Sequence, residues 1–136
     1  VRLLSREAQV ELGTLLKSVH RLTSRQRPFQ LWAKVRVKPC PGARPEGTSF
    51  TSGHAATAAL YAELLKTAAP ELGDKLEQRV KSYGESRLIC GFHYPSDLVA
   101  GDKVGRAVAK ALLADQAFKL RFDETVPEIR VAFGVK

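Results

Sequence analysis

The stretch SRLICGFHYPSDLVAGDKVGRAVAKALLA, residues 86–114, decides the fold class. Its second half carries Leu98, Val99, Val104, Val108, Leu112 and Leu113 at the spacing of one helical face, which predicts a helix over about 96–114. Working outward, residues 55–67 are rich in strong helix formers and follow Ser52, a residue type suited to an N-cap, so they predict a second helix. A third is expected over 71–89, just beyond Pro70. At the other end Leu3, Leu4, Val10, Leu12, Leu15, Leu16 and Val19 recur at near-helical spacing and predict a helix over 3–22. Pro28 ends any helical continuation nearby. Residues 36–51 hold Pro39, Pro41, Gly42, Pro45 and Gly47 and read as a loop, and a loop that long inside a compact domain is often functional. The tail, with Pro127, is expected to form a short helix plus a loose end. No strand, repeat or low-complexity segment is readable. The expectation is an all-α bundle in one domain spanning 1–136.

Composition bounds the function. Hydrophobic residues make up 44% and charged residues 26% of 136, the balance of a soluble globular domain with enough chain for a real core. The apolar run at 55–65 is interrupted by Glu63 and falls well short of the ~20 residues that span a bilayer, so no membrane span is expected. No signal peptide is recognisable. The sequence starts at Val1 and contains no Met, so it is expected to have lost residues from its N-terminus. The formal net charge of +8 suits either a solvated basic surface or attraction for anionic substrates. A nucleic-acid partner is not expected, because no basic stripe interleaved with aromatic residues appears. Cys40 and Cys90 fit no zinc spacing and leave open two buried thiols or a disulfide closing a ~50-residue loop.

Three short segments carry chemistry: RQRPF (25–29), TSGHA (51–55) and SRLICGFHYPSD (86–97). A phosphate monoester needs cations and N–H donors around its oxygens, a nucleophile in line with the leaving oxygen and an acid to protonate that oxygen. Arg27 and Arg87 can grip phosphate bidentately. Ser52, Gly53 and the amides after them stand at a predicted helix start, a ready anion site. His93 can attack phosphorus and His54 can donate the proton. Asp97, four residues after His93, is expected to accept a hydrogen bond from its imidazole and fix the tautomer.

Taken together these segments resemble the three-part signature shared by class A bacterial non-specific acid phosphatases, lipid phosphate phosphatases and vanadium-dependent haloperoxidases. The third part is complete in Ser86, Arg87, His93 and Asp97. The second reads Thr51-Ser52-Gly53-His54, with Thr where the signature has Pro, and the first keeps Arg27 and Pro28. SRLICGFHYPSDLVAG, the Cys40 segment and LLADQAF (112–118) are similar to the class A acid phosphatases in particular, and the likeness covers roughly residues 20–120.

The resemblance implies a bundle of the acid phosphatase and haloperoxidase type. It implies hydrolysis of small phosphate monoesters at mildly acid pH through a phosphohistidine on His93, with His54 as general acid, and Asp97 paired to His93. It implies phosphate held by Arg27, Arg87, Ser52 and Gly53, no metal and no cofactor, and inhibition by phosphate or vanadate. A periplasmic or secreted location is implied as well, which favours the Cys40–Cys90 disulfide, and dimers are common in the family. Two departures stand out. His20 occupies the place of the signature lysine, and a histidine is cationic only at acid pH, with a reference pKa of ~6.5. Family members also carry several helices before the first motif, so part of the N-terminal bundle is expected to be missing here, in a truncated chain, in a cleaved one whose other piece is separate, or with a partner subunit covering the gap. The alternatives are a vanadium-dependent haloperoxidase, which leans on that lysine, and a non-catalytic phosphate-binding descendant.

Overall fold

The computed structural model describes residues 1–31, 39–41 and 46–135. In chain order the helices are α1 (Arg2–Arg21), the single-turn α2 (Pro28–Leu31), α3 (Gly53–Ala68), α4 (Gly73–Ile89), α5 (Pro95–Ala114) and α6 (Gln116–Ala132), with a 3-10 turn at Pro70–Leu72 leading into α4. The described residues contain no strand, and the all-α expectation holds. Pro28 opens a helical turn, a position where its missing N–H costs nothing. Of the loop expected over 36–51, residues 36–38 and 42–45 lie outside the described part; 39–41 and 46–51 are irregular.

The core gathers Leu12 and Leu16 of α1, Leu60 and Leu64 of α3, Val108 of α5, and Phe118, Phe122 and Ile129 of α6. The tail departs from expectation, because α6 is a continuous 17-residue helix with Pro127 inside it. Asp115 caps its start, with Oδ1 accepting the Phe118 N–H at 2.8 Å. An interior proline costs about 3 kcal/mol. Burying three large apolar side chains returns about 1.5–3 kcal/mol each, so packing outweighs the local penalty.

The closest helix pair is α3 against α5. A Cβ placed on Gly105 would lie 2.0 Å from the Ala56 carbonyl oxygen, and one on Gly101 would lie 2.3 Å from that of Ser52. Gly101, Gly105 and Ala109 form a small-residue stripe along α5, and Ala55, Ala56 and Ala59 form its counterpart on α3. The near approach fixes the start of α3, where TSGHA lies.

On its other side α3 carries α4, whose only buried residue is Gly84. A network of ion pairs ties this helix to its neighbours. Arg106 of α5 donates from Nη1 and Nη2 to Glu77 of α4 at 2.9 and 2.7 Å, from Nε to Asp102 at 2.9 Å, and from Nη1 to Glu63 of α3. Lys66 bridges Glu63 and Glu77 at 2.7 and 3.1 Å. Hydrogen bonds from Arg106 bring the Glu77 pKa down to about 2, so Glu77 stays ionised through most of the acid range. Cys40 and Cys90 form a disulfide across 50 residues of sequence, tying the loop to the end of α4. Among the described residues no helix is long and apolar enough to cross a membrane.

Candidate active site

The three chemical segments meet at one end of the bundle. The chain leaving α1 lies against residues 48–50: the Thr23 hydroxyl donates to the Phe50 carbonyl at 2.8 Å and the Ser49 amide to the Arg25 carbonyl at 2.7 Å. Phe29 N–H donates to the Gly91 carbonyl at 3.1 Å, which lays RQRPF beside the turn after α4.

That turn explains the six-residue spacing of Arg87 and His93. Gly91 has φ +67°, a left-handed conformation that glycine adopts without penalty. Its N–H donates to the Leu88 carbonyl at 2.9 Å, and Phe92 N–H donates to that of Arg87 at 3.0 Å, the paired bonds of a Schellman ending. The reversal at Gly91 falls two residues before His93 and ends α4.

His93 is 5% exposed. Its Nδ1 lies 2.8 Å from the Ser49 carbonyl oxygen, an atom that can only accept, so Nδ1 carries the proton and Nε2 carries the lone pair. Nε2 faces Arg27 Nη1 at 3.5 Å. Burial, then the Arg27 charge, brings the His93 pKa down to about 4, against the opposing pull of the Ser49 bond and Asp97. His93 is therefore neutral, with a usable lone pair, across most of the acid range.

The expected hydrogen bond from His93 to Asp97 is not formed; Nδ1 and Oδ2 are 3.7 Å apart. The i,i+4 relation needs both residues on one helix, and α5 begins only at Pro95, with Tyr94 extended. Asp97 is fully buried and serves the scaffold instead. Its Oδ2 accepts the Ser49 hydroxyl at 2.5 Å and the Tyr94 N–H at 2.8 Å. Its Oδ1 accepts Arg25 Nη1 at 2.7 Å. Asp97 thus acts on His93 through Ser49, and through its charge at close range.

Arg27 donates from Nη1 to the Phe92 carbonyl at 3.0 Å. Its Nε and Thr51 Oγ1 are buried and without a hydrogen-bond partner among the described residues, and both belong to site segments. Buried polar atoms seldom go unpaired in folded proteins. Ser52 caps α3, its Oγ accepting the Ala55 N–H at 3.2 Å, which leaves the Gly53 and His54 amides as the surplus first-turn donors. His54 is exposed and stands beside Tyr83, ring centres 6.1 Å apart. Desolvation and then the charges of Arg87 and Arg27 lower its pKa below the usual 6.5. Arg87 lies against the rings of Tyr83 and Phe92, at 5.4 and 5.3 Å from their centres. Arg27, His54, Arg87 and His93 are therefore within electrostatic reach of one another.

His20 lies against the second segment, where its Nε2 donates to the Thr51 carbonyl at 2.9 Å. That bond ties the end of α1 to TSGHA. Ser49, which the sequence did not single out, and Arg25, which it offered with Lys17 and Arg21 only as a stand-in for the signature lysine, complete the site. Ser49 orients His93, and Arg25 neutralises Asp97 while lying 4.2 Å from the centre of the Tyr94 ring. Ser49 lies outside the three segments, whereas Arg25 opens the first of them, two residues before Arg27. Replacing Ser49 by alanine deletes a buried hydroxyl bond to a carboxylate but keeps the carbonyl that holds His93. Unfolding in urea is expected to show a loss of about 1–3 kcal/mol, with turnover reduced far less than by any change at His93.

The sequence model of the PAP2 superfamily matches residues 11–121. The chain is similar to a non-specific acid phosphatase of Salmonella typhi, 38% identical over 97 residues that cover 70% of this chain and 38% of that protein. A non-specific acid phosphatase of Salmonella typhimurium (strain LT2) is 37% identical over 100 residues, again 70% of this chain and 38% of its own length. One from Providencia stuartii is 32% identical over 80 residues, 59% of this chain and 32% of that protein. The chain thus spans only 32–38% of the length of these curated relatives.

Proposed function

The chain belongs to the PAP2 superfamily, and from that premise we propose that it is an acid phosphatase hydrolysing small phosphate monoesters through a phosphohistidine. One observation carries the reading: a buried, neutral His93 with Nδ1–H anchored on a carbonyl and its Nε2 lone pair facing Arg27. In the first step Nε2 attacks phosphorus and the bond from phosphorus to the ester oxygen breaks. His54, protonated, gives its proton to that oxygen and releases the alcohol. The phosphorylated imidazole keeps its Nδ1 proton and becomes cationic, and the Asp97 carboxylate 3.7 Å away favours that charge. In the second step neutral His54 takes a proton from water, the hydroxide attacks phosphorus, and the phosphorus–nitrogen bond breaks to give orthophosphate and the starting protonation states. Arg27, Arg87, Ser52 and the first-turn amides of α3 hold the phosphoryl oxygens throughout.

The two histidines set the working pH. His93 must be neutral, so kcat/KM rises as pH climbs through about 4. His54 must be protonated, so kcat/KM falls as pH climbs through its lowered pKa, below 6.5. A bell with its maximum between those limits is expected for a chromogenic aryl phosphate, and base-quenched protein should carry phosphate on the peptide holding His93. An optimum above pH 7.5, or phosphate on another residue, would count against the mechanism. Orthophosphate and vanadate are expected to compete for the same cradle. The disulfide fits an oxidising compartment, and we place the protein in the periplasm or outside the cell on that ground.

A further inference from the structure

A groove of about 250 Å³ runs between α3 and α4, walled by Ala58, Tyr61 and Leu65 on one side and Leu76, Val80 and Tyr83 on the other. Residues 58, 61 and 65 continue down α3 from His54, with Ala58 one turn further along the same face. At its upper end Tyr83 meets the His54 ring, 6.1 Å centre to centre, and the Arg87 and Arg79 guanidiniums lie 5.4 and 5.8 Å from the Tyr83 ring centre. The groove therefore opens beside the proposed proton donor, where the departing alcohol must sit when His54 protonates it. Its walls are mainly apolar, with Arg79 the one charged side chain among them, while the proposed phosphate-binding residues beside His54 are cationic.

We propose that this groove receives the leaving group, that Tyr83 is its specificity-determining residue, and that the favoured substrates are phosphate esters of aromatic alcohols. The inference rests on the phosphatase reading and adds the substrate class to it. The volume is just below the roughly 300 Å³ at which small-molecule pockets begin, so the groove suits one ring and not a large fused system. An aromatic ring meeting Tyr83 gains an edge or offset contact that a small alkyl group cannot make.

Binding of non-hydrolysable phosphonates tests the subsite without requiring turnover. By titration calorimetry wild-type protein is expected to bind phenylphosphonate about tenfold more tightly than methylphosphonate. Tyr83→Leu should bring the ratio close to one, and Tyr83→Phe should restore most of it, which a general loosening of α4 would not do. Ala58→Leu narrows the groove from the opposite wall and should lower the ratio independently if Tyr83→Leu fails to fold. Equal affinities in the wild type, or a ratio unchanged in both groove variants, overturns the proposal. A preserved phenylphosphonate preference with no hydrolysis of phenyl phosphate supports the subsite and sinks only the catalytic reading. Failure to bind either phosphonate overturns both.

Discussion

Replacing His93 by alanine is expected to lower turnover of an aryl phosphate by about 10⁴-fold or more while leaving orthophosphate binding within a few-fold. A loss of that size is about 5.5 kcal/mol of transition-state stabilisation, the scale seen when a nucleophile rather than a binding group is removed. The cations and amides that hold the phosphoryl group all survive the change, since Arg27, Arg87, Ser52 and the α3 amides belong to other segments. The substitution also strips the Ser49 carbonyl of its donor and leaves a small cavity, which should cost about 1–3 kcal/mol of stability. Circular dichroism at the assay temperature separates that cost from the chemical loss. Imidazole added to the variant is expected to restore part of the rate, because the vacated space keeps the carbonyl acceptor that orients the ring. Equal rates in wild type and variant would remove His93 from the reaction.

Replacing Gly105 by alanine is expected to destabilise the protein by about 3 kcal/mol or more and to lower Tm by about 10 °C or more. Helix propensity points the other way, since alanine in a helix interior is favoured over glycine by about 1 kcal/mol. The sign is decided by contact. The new methyl would lie 2.0 Å from the Ala56 carbonyl oxygen and 2.9 Å from the Leu60 amide nitrogen, backbone atoms that cannot rotate away. The helices must separate, and their close crossing is the principal packing of the fold. Thermal melts of Gly105→Ala beside Gly13→Ala make the comparison internal, because a Cβ at Gly13 meets nothing within 4 Å and should show the propensity gain alone. A Gly105→Ala protein as stable as the wild type would mean that α3 and α5 cross less closely.

Helices with an uninterrupted apolar face were legible in the sequence. The periods around Leu12 and Val108 place α1 and α5 within a residue or two of their observed bounds, and the helix formers after Ser52 place α3 as closely. The tail was expected to hold a short helix, but the full length of α6 was not legible, because Pro127 outranks packing in any local reading, whereas Phe118, Phe122 and Ile129 outweigh it once the core exists. In the site, the residues that carry charge or a nucleophilic nitrogen could be named from motif spacing. The connections among them could not. Asp97 and His93 are four apart in sequence, yet a helix start falls between them, and their spacing loses its helical meaning. Ser49 and Tyr83 have no motif, and their roles exist only after distant segments are brought together. The Cys40–Cys90 bond, left open by spacing, is formed.

The orientation of His93 depends on a main-chain oxygen, and that has a genetic consequence. No codon change at position 49 deletes a carbonyl, so saturation mutagenesis will score that position only for its hydroxyl and will miss the acceptor altogether. The same contact is inherited whatever side chain drifts into the position, which shelters the tautomer from point mutation. Reaching it takes chemistry on the polypeptide itself, such as a thioamide at residue 49 introduced by semisynthesis.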